Sequence, residues 1–154
     1  MSAGLAGVRL RARPRRVSRR RGGISIAELK VLDDLARTLC MTRAGAALVT
    51  DEGRKQWWGA CQRCGCKRWL SWCHVFTRAT RSIRWDPDNF FAWCRGCHRY
   101  LDQHWELKQV WVMADIGPDR FDQLLTRSRG LKGRQSFELV KLMLRGELAV
   151  INRR

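Results

Sequence analysis

Negative charge is scarce in this chain. Its 14 aspartates and glutamates stand against 31 lysines and arginines in 154 residues, giving a formal charge of +17 at pH 7. Such an imbalance describes a binder of polyanions, and nucleic acid is the commonest polyanion that a chain of this size meets. Long apolar runs are missing too: no stretch is long enough to span a bilayer, and no basic amphipathic helix sits beside an apolar anchor, so a membrane is not the expected partner. The basic N-terminus lacks the apolar segment of a secretory leader; export is therefore not expected, and the cytoplasm is the expected compartment. There is no internal repeat. A disulfide framework is also excluded, because the seven cysteines are odd in number and four of them fall in C-x-x-C pairs, which reads as thiolate ligands in a reducing cytosol. Hydrophobic residues at 45%, with eight tryptophans, allow one domain with a real core.

The cysteine pairs bound the stretch around which the chain is organised. It opens with Cys61-Gln-Arg-Cys64-Gly65 and closes with Cys94-Arg-Gly-Cys97-His98, with 29 residues between Cys64 and Cys94. Two C-x-x-C knuckles suit one tetrahedral zinc, each splaying two thiolates about a common point. Cys66 competes with Cys64 for a place in this set, and the matched spacing favours Cys64. Cys40 and Cys73 read as small buried residues.

Between and just after the knuckles come an imidazole, a carboxamide and a second imidazole: His74, Asn89 and His98. This order resembles the HNH, or His-Me finger, nuclease motif over about residues 57 to 101, and the bracing cysteines resemble those of endonuclease VII-type resolvases. The run from His74 to His98, with Arg84-Trp-Asp-Pro-Asp-Asn89 and Cys94-x-x-Cys97-His98, is similar to phage recombination proteins of the NinG type. The resemblance implies a β-hairpin carrying the first histidine, a loop carrying the asparagine and a helix carrying the last histidine, around one divalent cation. It implies His74 as general base, Asn89 as the group that orients the His74 ring or its loop, and His98 as a ligand of catalytic Mg²⁺ or Mn²⁺, beside a structural Zn²⁺. The implied activity is hydrolysis of DNA phosphodiester bonds by a metal-dependent endonuclease. Its implied setting is recombination or the processing of branched or nicked DNA, in the bacterial host cytoplasm if a phage encodes the chain. Nothing fixes the oligomeric state, and a dimer stays open.

The chemistry suits the residues. Phosphodiester hydrolysis needs a base for water near neutral pH and positive charge for the leaving oxygen, and an imidazole with a pKa near 6.5 is such a base. The departure from the family pattern is Cys73, where many members place an Asp or His as a further ligand, because a thiolate is a poor ligand for Mg²⁺. Either waters and substrate oxygens complete the shell at His98, or another oxygen does; Asp102, one turn further on, is the candidate. Two alternatives stay open: His98 as a zinc ligand in place of a cysteine, and a non-catalytic zinc-ribbon protein that binds nucleic acid.

The expected fold class is α+β, a small zinc-braced ββα-metal centre flanked by N- and C-terminal helices. Residues 1–24 read as a disordered arm whose arginines (Arg9, Arg11, Arg13, Arg15, Arg16, Arg19, Arg20, Arg21) bind DNA phosphates. Residues 25–56 read as a helix and loop, 57–103 as the nuclease centre and 104–154 as a helical region. The capping box Ser25-Ile-Ala-Glu28 and apolar residues at helical spacing predict a helix over 26–43, followed by a loop from Arg43 to Gln56. Trp57 to Phe76 predicts two strands with a turn at Cys64-Gly65 and His74 at the second strand's exit. The loop from Thr77 to Asn89 carries Arg78, Arg81 and Arg84, expected to clamp the scissile phosphate. Helices are predicted from Cys97, over 105–116, from Pro118 to near 128, and over 135–145, with His104 as a helix-end surface residue.

Overall fold

The computed structural model describes residues 24–130 and 135–153; the arginine arm lies outside the described residues. The first helix, α1 (Ile26–Arg43), starts as its sequence dictates. The Glu28 backbone N–H donates to Ser25 Oγ at 3.3 Å, and the Ser25 N–H donates to the Glu28 carboxylate at 2.7 Å, so two otherwise orphaned N–H groups are satisfied reciprocally. Its buried face is Leu32, Ala36, Leu39 and Cys40.

Four antiparallel strands follow in sequence order: β1 (Ala47–Asp51), β2 (Arg54–Ala60), β3 (Lys67–His74) and β4 (Phe90–Cys94). The expected loop from Arg43 to Gln56 is thus corrected: it holds β1 and the start of β2. Glu52 and Gly53, both at positive φ (46° and 74°), turn one strand into the other, the twist that two-residue hairpins favour. Sequence gave little sign of this because every residue of β1 is exposed. An edge strand held by its partner's hydrogen bonds does not need the buried alternation by which strands are read.

β3 and β4 form the buried half of the sheet, with His74 opposite Phe90 and Leu70 opposite Cys94. Phe91 and Trp93 meet Trp111 edge-on at centroid distances of 5.2 and 5.4 Å, which seats α3 (Trp105–Ile116) on the sheet. Trp72 and Phe90, on the alternate face, lie beneath the guanidinium groups of Arg37 and Arg43 from α1. Between β4 and α3, α2 (Arg95–Gln103) begins two residues before the expected start at Cys97. α4 (Pro118–Arg129) and α5 (Phe137–Ile151) complete the chain. α5 runs six residues past the expected end; Gly146 sits in an open helical position and costs only about 1 kcal/mol there. α5 packs along α1, and Val140 and Leu144 join the same core as Leu32 and Phe91. The chain is an α+β protein with a small antiparallel sheet and helices, and none of its described helices is long and apolar enough to cross a membrane.

Candidate metal centre and imidazole site

The β2–β3 connection supplies Cys61 and Cys64, the end of β4 supplies Cys94, and the first turn of α2 supplies Cys97. Their four sulfurs lie within 4.8 Å of one another. Zinc–sulfur bonds of about 2.3 Å in a tetrahedron place sulfurs about 3.8 Å apart, so this donor set fits one Zn²⁺ after a small contraction. The knuckle geometry is built into the backbone. The Gly65 N–H donates to the Cys61 carbonyl at 2.8 Å with Gly65 at φ 72°, and the Cys94 N–H donates to Cys61 Sγ at 3.2 Å. Four thiolates around Zn²⁺ leave a net charge of −2, and the Arg63 guanidinium, 3.6 Å from Cys97 Sγ, is placed to offset it. Cys66 is exposed and outside this group, as is His98. Among the described residues, the group that could hold a metal such as zinc is therefore the four-cysteine one.

His74 is the last residue of β3 and is nearly buried. Its ring packs against Trp72 at 4.3 Å between centroids, and Nε2 lies 3.2 Å from the Arg84 carbonyl oxygen. A carbonyl can only accept, so Nε2 carries the proton and the basic lone pair is on Nδ1. Burial, then the positive charge of Arg78, pulls the His74 pKa down to about 4; the ring is neutral at physiological pH. Burial lowers the pKa of His98 against the opposing charge of Asp102, with smaller contributions from Lys108 and last from Arg78, so the charge of Arg78 reaches both imidazoles.

Asn89 is fully buried, and its side-chain hydrogen bonds go to the loop and not to the His74 ring. Its Oδ1 accepts from the Phe76 N–H at 2.8 Å, and its Nδ2 donates to the Ile83 carbonyl at 2.9 Å and the Phe76 carbonyl at 3.3 Å. It latches both ends of the loop that follows His74. Of the two expected modes, orienting the ring or orienting the loop, the geometry has the second.

Arg84 does not face open solvent. Nε and Nη2 donate to the two carboxylate oxygens of Asp33 at 3.0 and 2.6 Å, and Trp85 Nε1 donates to Asp33 at 2.9 Å. Burial raises the Asp33 pKa, but these hydrogen bonds outweigh it and hold the carboxyl below its usual range. The expected phosphate clamp is therefore reduced to Arg78 and Arg81, because the Arg84 fork is filled by a carboxylate already. What Arg84 contributes is the carbonyl on which His74 rests.

His98, on α2, is half-buried and lies 3.1 Å from an Asp102 carboxylate oxygen; the other oxygen takes the buried Lys108 ammonium at 2.8 Å. Asp102 is thus held between a ring and a cation, and serving as an oxygen ligand requires it to exchange one of them. Cys73 is fully buried beside this group, with burial raising its thiol pKa. His104 is exposed and stacks on Tyr100. Asp33 and Lys108 carried no sequence signal, since each acts through a partner brought near only by folding. No protein-family model, curated protein or solved structure matches this chain.

Proposed function

We propose that the chain is a zinc-braced, metal-dependent DNA endonuclease of the His-Me finger (HNH) class. Its role would be the hydrolysis of phosphodiester bonds in recombination or branched-DNA processing in a host cytoplasm. The observation that carries this reading is the state of His74: neutral, with its proton committed to the Arg84 carbonyl and Nδ1 left as acceptor. A general base must be neutral with a free lone pair, and His74 meets that condition, although with its pKa near 4 the ring is a weaker base than a free imidazole. In the proposed mechanism Nδ1 takes the proton from the attacking water, while Asn89 keeps the loop, and with it the Arg84 carbonyl, in register. Arg78 and Arg81 hold the phosphate on its non-bridging oxygens. His98 is the protein ligand for Mg²⁺ or Mn²⁺, which supplies positive charge for the departing oxygen when bound.

Plasmid nicking with Mg²⁺, with and without chelator, tests the reading. His74→Ala should keep its zinc and its DNA binding while nicking falls about 10²-fold or more, the usual cost of a general base. Nicking at the wild-type rate by His74→Ala would overturn it. The engagement of Asp102 by Lys108 favours a second reading, a non-catalytic zinc protein on DNA. Tight binding without nicking under every divalent cation would establish that one instead.

A further inference from the structure

Trp58 on β2 and Trp69 on β3 are cross-strand partners, so they stand on the same face of the sheet, with ring centroids 4.9 Å apart and planes inclined at 74°. They are 40% and 37% exposed, a large apolar area for a folded chain to leave in water at one spot. The two strands carry four exposed cations, of which Lys67 stands two residues from Trp69 and Arg54 at the turn end of β2. Strand alternation puts Arg54 and Lys67 on the tryptophan face, and Lys55 and Arg68 on the other. None of the four takes part in an ion pair among the described residues. The acidic residues of this hairpin, Asp51 and Glu52, sit at the β1–β2 turn, with Asp51 cross-strand from Arg54, so Lys67 is the cation nearest the pair on its face.

The combination selects one occupant. A protein partner matching this charge could be acidic and apolar, but the tryptophans stand edge to face and offer a flat ring surface bordered by unpaired positive charge. That is the complement of a base with its phosphate. A duplex hides its base faces in the stack, so the rings gain nothing from it. We infer that Trp58 and Trp69 form a stacking platform for unpaired bases of a DNA strand whose phosphates are held by Lys67 and Arg54 on the same face. The inference rests on the endonuclease reading for its choice of DNA, and it narrows the substrate to DNA that carries unpaired nucleotides. Trp69 precedes His74 by five residues on β3, about 17 Å at the rise of a strand, and strand alternation puts the two side chains on opposite faces of the sheet.

The test is binding of the full chain to a labelled oligo-dT and to a duplex of equal length, read by fluorescence anisotropy at matched salt. Trp58→Ala/Trp69→Ala should bind oligo-dT about 10- to 100-fold more weakly, the loss expected for removing base–aromatic stacking, with duplex affinity within about threefold of wild type. Trp58→Phe/Trp69→Phe, which keeps a ring at each position, should recover most of the loss, and zinc content certifies the fold of both. Unchanged oligo-dT affinity in the alanine protein overturns the platform. So does an equal loss on both ligands, or conversion of a wild-type dimer to monomer, which would make the pair a self-association patch. Nicking measured in parallel separates the two ideas: a platform that fails while His74-dependent nicking persists leaves the endonuclease reading intact.

Discussion

Acid should destabilise this protein through His74, earlier on the pH scale than any carboxylate would. The ring is held neutral in the fold with a pKa near 4, against an ordinary value of 6.5. A group whose folded pKa is depressed contributes fully above its unfolded pKa. For His74 that contribution is present above pH 6.5 and is lost progressively as pH falls from 6.5 towards 4, because the unfolded chain takes up the proton first. The gap of about 2.5 pH units corresponds to about 3 kcal/mol. The structural cause is a nearly buried ring between Trp72 and Phe90 with the charges of Arg78 and Arg84 nearby. Urea unfolding of wild type and His74→Gln at steps between pH 7 and 4 isolates the effect, since the amide can still donate to the Arg84 carbonyl but cannot titrate. Acid effects on the cysteines are common to both proteins and cancel. Wild type should lose about 3 kcal/mol more than the variant over this range; parallel curves would refute the placement of the ring. The acid limb of nicking kcat/KM should correspondingly fall well below pH 6.5.

Cys94→Ser should fail to retain zinc by elemental analysis and should lose cooperative unfolding, because thiolate–zinc bonds tie two distant segments and their binding energy is folding energy. Asn89→Ala removes three hydrogen bonds at a fully buried site and should cost about 3 kcal/mol, or about 6–12 °C in Tm by calorimetry; its nicking should fall less than that of His74→Ala. Deleting residues 1–22 should flatten the slope of log K against log salt by about five if about six arginines meet phosphates, and an unchanged slope would remove the arm from DNA binding.

Local chemistry was legible in the sequence, and pairings across distance were not. The Ser25–Glu28 box, the Gly65 knuckle and the two C-x-x-C pairs announce themselves because their partners lie within four residues. The convergence of the four sulfurs follows from the spacing that zinc demands. β1 escaped because an exposed edge strand lacks the buried alternation of a central one. The fate of Arg84 escaped for a different reason. An arginine among arginines reads as a free cation, and the carboxylate that occupies it is on α1, 51 residues earlier. Arg43, whose guanidinium donates to the carbonyls of Pro87 and Phe90, is hidden in the same way. Each such contact takes a basic residue out of the pool that composition alone assigns to nucleic acid.

The two proposed metal roles meet at one residue step, and this bears on the chelator experiment. Cys97 belongs to the zinc set and His98 follows it in α2, while His74 ends the strand that leaves the Cys61–Cys64 connection. Losing zinc therefore frees both imidazoles from their common frame, whereas losing a divalent cation at His98 leaves that frame in place. Chelator can act by either route, and the order of rescue tells them apart. If the cation at His98 is the one removed, Mg²⁺ alone should restore nicking at once, with zinc content and the unfolding transition unchanged, since a four-thiolate site holds Zn²⁺ far more tightly than an open oxygen and imidazole site holds Mg²⁺. Recovery that demands zinc, or that tracks the return of cooperative unfolding, would assign the inhibition to the fold and leave the catalytic cation without support.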